Sequence, residues 1–193
     1  MNDEVDVAGS DRLDELLAIR ASQGDTAAFG ALYDRYARRV ARLLRTYARD
    51  QADLEDMVHD TFCRVMDALP SYRSQGAFRS WLFTIALNVG RKAARRHDGS
   101  VPLTEECPTA SSDMESGGLL PVEAETLARR LLAALSEPKR LVVVMRIWLD
   151  LPYEEIAAIL SIPPATARTR MHSALHDLRT LLAHEASEEV RTA

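Results

Sequence analysis

A stretch without helical or strand periodicity, residues 98–122, divides the chain into two parts. It holds three of the eight prolines, three of the eight glycines, a serine cluster and five acidic residues without any Lys or Arg. This composition predicts a flexible acidic linker. In the flanking blocks, residues 24–97 and 123–184, apolar residues recur at three- and four-residue steps, without the alternation of half-buried strands. The sequence therefore predicts an all-α fold of two small helical domains, with an acidic extension at residues 1–23 and a tail at 185–193.

The net charge is unevenly distributed along the chain. The total is -5, but residues 25–97 carry 13 Lys and Arg against 8 Asp and Glu. Binding to nucleic acid follows local basic surface rather than total charge. A basic block between acidic segments therefore suits a contact with nucleic acid or with an acidic protein.

Bulk composition also bears on location and on cysteine chemistry. No stretch approaches the roughly 20 apolar residues that cross a bilayer. The first residues, MNDEVDVAGSD, are acidic where a signal peptide is basic. We therefore predict a cytoplasmic protein without membrane insertion. Cys63 and Cys107 match neither a disulfide framework nor a zinc spacing.

Residues 53–69 have the pattern of an amphipathic helix with an acidic face. Apolar residues predicted to face a core recur along it, namely Leu54, Met57, Val58, Phe62, Val65, Met66 and Leu69. Pro70 ends the pattern. The opposite face carries the acidic residues Asp53, Glu55, Asp56, Asp60 and Asp67. This face indicates a basic partner, although a merely solvated charged face gives the same pattern.

A further helix is predicted after the polar loop 71–77. Aromatic residues at its start, Phe78, Trp81 and Phe83, lead into a basic run at its end, Arg91, Lys92, Arg95 and Arg96. Cations neutralise phosphates and an aromatic surface stacks an unstacked base, a combination that favours single-strand binding. We expect at least two of the three aromatic residues to be core residues instead.

Residues 150–175 contain the most specific local pattern, which indicates a helix, a tight turn and a second helix. The apolar residues that would pack the two helices together are Ile156, Ala157, Leu160, Ala167, Met171, Ala174, Leu175 and Leu178. The exposed side of the second helix presents Thr166, Arg168, Thr169, Arg170 and Ser173. Hydrogen-bonding groups mixed with arginine are what a DNA-recognition helix needs. A helical hairpin that does not bind DNA could show the same pattern.

Patterns that would indicate catalysis or a metal site are incomplete. Asp56 and His59, and likewise His172 and His176, are spaced for one helical face, but neither pair has further ligands. The chain lacks a GxxxxGK[ST] loop, a GxSxG elbow and a GxGxxG motif after a strand. We therefore predict no metal, no cofactor and no enzyme activity.

The order and spacing of these segments resemble the extracytoplasmic-function (ECF) sigma factors of bacterial RNA polymerase over nearly the whole chain. Residues 53–62, DLEDMVHDTF, resemble region 2.2 of that family, which docks on the clamp helices of the polymerase. The core-polymerase contacts implied by this resemblance are Asp53, Glu55, Asp56 and Asp60. Residues 78–89, FRSWLFTIALNV, resemble regions 2.3 and 2.4, which melt the minus-ten element and hold its non-template strand. The loop 71–77 is similar to the family's pocket for a flipped-out base. The implied minus-ten contacts are Tyr72, Arg73, Ser74, Gln75, Arg79, Trp81, Asn88, Arg91, Lys92, Arg95 and Arg96.

The helix-turn-helix resembles region 4, which reads the minus-thirty-five element while its first helices bind the flap tip of the polymerase. The resemblance assigns minus-thirty-five contacts to Thr166, Arg168, Thr169, Arg170 and Ser173. It implies three partners, core RNA polymerase, promoter DNA and an anti-sigma factor, and a location at the bacterial nucleoid or, through the anti-sigma factor, at the membrane. The chain departs from the family pattern at Leu87, Lys92, Ser173 and Leu175, and Pro163-Pro164 replaces the usual serine cap, although proline suits a helix start.

The resulting hypothesis divides the work between the two domains. The first would hold polymerase and the opened minus-ten strand, and the second would set the register on duplex DNA. Two other classes of protein stay open. A stand-alone helix-turn-helix regulator would bind a palindromic duplex without polymerase. A helical adaptor would never touch DNA, and neutralising Arg168 and Arg170 would leave its activity intact.

Overall fold

The computed structural model describes residues 3–73, 77–96 and 122–192. All regular structure within these residues is helical, and the chain divides into two compact units with the boundary between residues 108 and 109. The predicted all-α, two-domain fold is confirmed. The predicted linker, apart from Val122, and Cys107 within it lie outside the described residues. No helix in the described ranges is long and apolar enough to cross a membrane.

The described part of the first unit contains four α-helices. They are α1 (Asp3–Ser22), α2 (Thr26–Leu44), α3 (Gln51–Ala68) and α4 (Phe78–Arg96), with a 3-10 turn at Leu69–Ser71 between the last two. Pro70 lies in the first turn of that 3-10 segment, so α3 ends where the sequence pattern predicted.

Aspartate side chains cap two of these helices. Asp25 Oδ1 accepts a hydrogen bond from the Ala28 N–H at 3.0 Å and so begins α2. This bond, together with Arg20, lowers the pKa of the Asp25 carboxyl. At the start of α3, Asp50 accepts from the Asp53 N–H at 2.8 Å, while Asp53 accepts from the Arg49 N–H at 3.0 Å. These local contacts set where α2 and α3 begin.

The core of the first unit lies between α2, α3 and α4. It is formed by fully buried side chains that include Leu32, Tyr36, Leu43, Leu54, Leu82, Phe83 and Leu87. Most of the apolar residues predicted on α3 face this core, but the prediction is wrong for Met66, which is 54% exposed. Met66 directly follows the buried Val65 and is rotated about 100° from it, since a helix has 3.6 residues per turn. Met66 therefore lies outside the buried arc of α3.

Helix α1 packs against α2 and α4 through polar contacts. Asp14 is 2% exposed; its carboxylate accepts from Arg35 Nε at 2.7 Å and from the Tyr36 hydroxyl at 2.5 Å. Ala18 is also fully buried. The predicted division of the chain between residues 23 and 24 thus runs between two helices that pack together.

The second unit contains α5 (Val122–Ala134), α6 (Glu137–Val143), α7 (Tyr153–Leu160) and α8 (Pro164–Thr192). A π-helical segment, Val144–Trp148, follows α6 directly. Buried side chains from every one of these elements, among them Leu132, Val142, Met145, Ile156 and Met171, form its core. Helix α8 continues past residue 184, where the sequence pattern placed the end of the domain.

The predicted helix, turn and helix at residues 150–175 are confirmed as α7 and the first part of α8. Ser161 ends α7 in the left-handed conformation, with φ of 53°. The Pro163 carbonyl accepts from the N–H groups of Thr166 and Ala167, and α8 begins at Pro164. Proline fits this first helical position because its missing N–H would have no intrahelical partner.

Candidate nucleic-acid interface

The acidic face of α3 is accessible to solvent. Glu55, Asp56 and Asp67 are exposed, and Met66 lies among them. Glu55 accepts a hydrogen bond from Gln51 Nε2 at 2.8 Å, whereas Asp56 makes no polar contact with the described residues. The face therefore combines negative charge with one exposed apolar side chain, which suits a basic partner that also has an apolar contact point.

Besides Glu55, two more of the four predicted polymerase contacts on α3 have partners close by in the sequence. Asp53, with its side chain 16% exposed, accepts from the backbone N–H of Arg49, just before the capping residue Asp50. Asp60 pairs with Arg64 one turn later at 2.9 Å, and both side chains are more than 40% exposed. An exposed pair of this kind is worth at most about 1 kcal/mol. Asp60 can therefore exchange Arg64 for a partner protein, whereas the side chain of Asp53 is held by its hydrogen bond from Arg49.

An aromatic cluster lies where α4 begins. The Tyr72 and Trp81 rings are 4.8 Å apart between centroids, and Phe78 lies 5.8 Å from each. Phe78 and Phe83 are buried and Trp81 is half-buried, which confirms that two of the three aromatics of α4 are core residues. Tyr72 is half-buried as well, so Tyr72 and Trp81 form the accessible part of the cluster.

One face of α4 connects this cluster to the basic end of the helix. Trp81, Asn88, Lys92 and Arg95 are spaced by seven, four and three residues and so lie on the same side of α4. Asn88, Lys92, Arg95 and Arg96 are exposed, and Arg91 is half-buried. An aromatic group followed by a polar group and then cations is an arrangement that can follow a single strand.

The remaining predicted minus-ten residues differ in position. Arg73 is exposed. Arg79 faces α1, where it lies 3.7 Å from Asp11 with only 11% of its side chain exposed. Burial and this pairing make Arg79 poorly accessible to DNA. Ser74 and Gln75 lie outside the described residues.

The predicted recognition residues of α8 occupy two adjacent sides of the helix. Arg168 and Thr169 lie on its most exposed side, whereas Thr166, Arg170 and Ser173 are half-buried beside it. None belongs to the buried side formed by Ala167, Met171 and Ala174. All five can therefore be approached from solvent.

Arg168 is held by groups of α7. Its guanidinium donates to Glu154 Oε1 at 2.6 Å and lies 5.5 Å from the centroid of the Tyr153 ring. Arg146 lies over the same ring, also at 5.5 Å. Two cations thus share one aromatic ring beside the start of α8, and each pairs with an acidic side chain, Arg168 with Glu154 and Arg146 with Asp150.

The sequence reasoning missed three residues of these surfaces, His172, His176 and Glu15. His172 and His176 continue the exposed side of α8 beyond Arg168 and Thr169, and they were considered only as metal ligands. Glu15 of α1 accepts hydrogen bonds from both Tyr72 and Phe78. The helical spacing of the two histidines could have indicated that they continue the exposed side of α8. No local sequence signal indicates that Glu15 binds Tyr72 and Phe78. Among the described residues, no three His, Cys, Asp or Glu side chains are grouped to hold a metal ion.

Comparisons with known proteins match both units. Residues 32–99 match the family described as Sigma-70 region 2, and residues 126–178 match Sigma-70, region 4. The ECF RNA polymerase sigma-E factor of Escherichia coli (strain K12) is 31% identical over 172 residues, which are 83% of this chain and 90% of that protein. The protein of the same name from Haemophilus influenzae is 30% identical with the same coverage.

Two solved structures resemble the fold. CnrH, in complex with the cytosolic domain of CnrY, has a TM-score of 0.70 and 27% identity, covering 89% of this chain and 98% of CnrH. The sigma factor RpoE of Bartonella quintana, in complex with the anti-sigma factor NepR, has a TM-score of 0.63 and 22% identity, covering 80% and 96%. The matched region 2 spans most of α2 through α4, and the matched region 4 includes the helix-turn-helix. The chain therefore belongs to the ECF RNA polymerase sigma factors, and its function is promoter-directed transcription initiation with RNA polymerase.

Proposed function

We propose that three separate surfaces of this sigma factor bind core polymerase, the opened minus-ten strand and the minus-thirty-five duplex. The observation that carries the proposal is that most of the residues concerned lie on the solvent side of helices whose other side forms a core. Their charges are therefore available to partners, and their positions are set by packing. Residues 53–62 and 78–89 resemble the segments that perform the first two tasks in this family, and residues 150–175 resemble the segment that performs the third.

Polymerase would bind to the exposed side of α3. Glu55 and Asp56 supply negative charge, and Asp60 becomes available when its weak pair with Arg64 opens. Met66, which is 54% exposed, adds an apolar contact near the C-terminal end of this surface. Asp53 contributes mainly by fixing the segment before α3 through its hydrogen bond from Arg49. A polymerase surface that fits would be basic with an apolar pocket.

The non-template strand of the minus-ten element would follow one face of α4. Trp81 and Tyr72 offer the accessible aromatic surface for an unstacked base. Asn88 offers hydrogen bonds, and Lys92 and Arg95 take the phosphates further along. Arg79 is assigned a structural role in this proposal, since it faces Asp11.

The minus-thirty-five element would receive the N-terminal part of α8 in its major groove. Arg170, Thr169 and Thr166 lie in the first turns, where side chains of a recognition helix reach base edges. Arg168 would exchange its exposed pair with Glu154 for a phosphate. His172 extends the same side of the helix and adds a further polar contact.

An anti-sigma factor is the third proposed partner, as membership of this family implies. The solved relative CnrH is in complex with the cytosolic domain of CnrY. By analogy, this chain would work at the bacterial nucleoid and be held at the membrane by an anti-sigma factor with a membrane anchor. The chain itself would catalyse no reaction, because polymerase supplies the chemistry.

Run-off transcription tests this division of work. Core bacterial RNA polymerase would be combined with a random promoter library, with and without the purified chain. We expect chain-dependent transcripts whose templates share two elements at a fixed spacing. Transcripts without a shared element, or no stimulation, would instead favour a stand-alone regulator, which binds a palindromic duplex without polymerase.

A charge reversal separates polymerase binding from DNA binding. Asp56→Arg should weaken binding to core polymerase by at least about tenfold, since an unfavourable like-charge contact costs more than a kcal/mol. Asp34→Arg on the exposed side of α2 is the matched control and should bind core polymerase as the wild type does. Equal binding by both variants would count against the α3 surface.

A further inference from the structure

One carboxylate oxygen of α1 joins two segments that lie far from it in the sequence. Glu15 Oε1 accepts a hydrogen bond from the Tyr72 hydroxyl at 2.7 Å and a second from the backbone N–H of Phe78 at 2.9 Å. Tyr72 follows the 3-10 turn, and Phe78 is the first residue of α4. Helix α1 therefore holds the end of one element against the start of the next.

These two bonds determine how the aromatic cluster is arranged. The Tyr72 ring lies against both Phe78 and Trp81, at centroid distances of 5.8 Å and 4.8 Å. Its hydroxyl is anchored by Glu15, so the ring cannot rotate away from Trp81 without losing a charge-assisted hydrogen bond. The second bond satisfies the first N–H of α4, a helix end where a negative group is favourable.

The neighbouring acidic residues of α1 have partners in the same unit. Asp11 lies 3.7 Å from Arg79, and Asp14 accepts from Arg35 and Tyr36. The spacing of Asp11, Asp14 and Glu15 places all three on one side of α1. This acidic side is therefore a set of specific contacts to α2, α4 and Tyr72, and Glu15 is the member that reaches the accessible aromatics.

We propose that Glu15 is a positioning residue for recognition of the minus-ten strand. It holds Tyr72 against Trp81 so that their accessible faces are arranged for an unstacked base before DNA arrives. The inference rests on the proposed function, because it assigns a supporting residue to the surface that would bind the opened strand. Glu15 itself need not touch DNA, since its effect on Tyr72 and Phe78 is exerted through hydrogen bonds to protein groups.

Binding of holoenzyme to a single-stranded oligonucleotide tests this role. The probe is the non-template minus-ten strand of a promoter selected with the wild-type chain, and its affinity is measured by fluorescence anisotropy. Glu15→Ala should weaken binding about 10-fold, which is the usual effect of losing a hydrogen bond to a charged group. Glu15→Gln should stay within about 3-fold of the wild type, because its Oε1 can accept both bonds. Arg12→Ala, on the exposed side of α1, is the matched control and should leave the affinity unchanged.

A second readout distinguishes positioning from general stability. Affinity for core polymerase and for the minus-thirty-five duplex should stay at wild-type levels in Glu15→Ala, whereas a merely unfolded first unit would lose its affinity for core polymerase as well. If Glu15→Ala does not fold, Tyr72→Phe decides, because it removes one bond and leaves the Phe78 bond in place. If both variants fold, the losses of oligonucleotide affinity in Glu15→Ala and Tyr72→Phe should be less than additive in the double variant.

Three results would overturn the inference. The first is wild-type affinity for the oligonucleotide in both Glu15→Ala and Tyr72→Phe. The second is an equal gain in affinity in Glu15→Ala and Glu15→Gln, which would indicate that Glu15 acts through its charge on the DNA. The third is failure of the wild-type chain to select any promoter, which overturns the proposed function as well. The first two leave the proposed function standing.

Discussion

Replacing Asp14 should destabilise the first unit strongly, although Asp14 belongs to the acidic N-terminal segment. Asp14 is 2% exposed and accepts hydrogen bonds from Arg35 at 2.7 Å and from Tyr36 at 2.5 Å. In Asp14→Ala the buried Tyr36 hydroxyl loses its acceptor, which costs about 1–3 kcal/mol. The Arg35 side chain is 36% exposed, so water replaces part of its lost bond and we add only about 1 kcal/mol for it.

The expected loss is therefore about 3 kcal/mol, a large fraction of the roughly 5–15 kcal/mol that stabilises a typical domain. Asp14→Asn keeps the shape of the side chain. Its amide oxygen can accept from Arg35 while its NH₂ donates to the Tyr36 oxygen, so about 1–2 kcal/mol is expected. Asp14→Asn should therefore lose less free energy of unfolding than Asp14→Ala.

Urea unfolding followed by tryptophan fluorescence measures these values. The chain has two tryptophans, Trp81 in the first unit and Trp148 in the second, so a Trp148→Phe background reports on the first unit only. Asp34→Ala, an exposed position on α2, is the control and should change the free energy of unfolding by less than about 0.5 kcal/mol. A loss below about 1 kcal/mol in Asp14→Ala would refute the conclusion that α1 is part of the first unit.

Three further predictions follow from single contacts. Gly90→Ala should lower the free energy of unfolding by about 1 kcal/mol in the same assay, because a Cβ there would overlap the buried ring of Tyr47. Overpacking of this kind costs about 1–3 kcal/mol, which exceeds the gain in helix propensity of about 1 kcal/mol. Burial and the bond to Asp14 raise the pKa of Tyr36 above its usual value of about 10, so the contribution of Tyr36 to the free energy of unfolding should be constant below about pH 10 and be lost above it; in urea unfolding between about pH 8 and pH 11, Tyr36→Phe should reduce the alkaline loss. Glu154→Gln should free Arg168 and raise the affinity for a minus-thirty-five duplex about 2- to 3-fold at low salt by anisotropy; no change there would indicate that Arg168 does not meet DNA.

The sequence predicted those features whose physical cause is local. Most of the buried residues of α3, the end of α3 before Pro70 and the helix, turn and helix at residues 150–175 follow from helical periodicity and from the residues that interrupt it. Met66 was predicted to be buried but is exposed, because it lies one residue beyond the buried Val65 and is rotated out of the buried side of α3.

The position of α1 and its role were decided by the tertiary structure alone. Its contacts are polar and distant in sequence: Asp14 meets residues 21 and 22 positions away, and Glu15 meets residues 57 and 63 positions away. An acidic residue that is buried against a partner and one that is solvated look identical in a sequence. Hydrogen bonds of this kind leave no periodic pattern, so only the fold shows that an acidic N-terminal segment holds the aromatic cluster of α4.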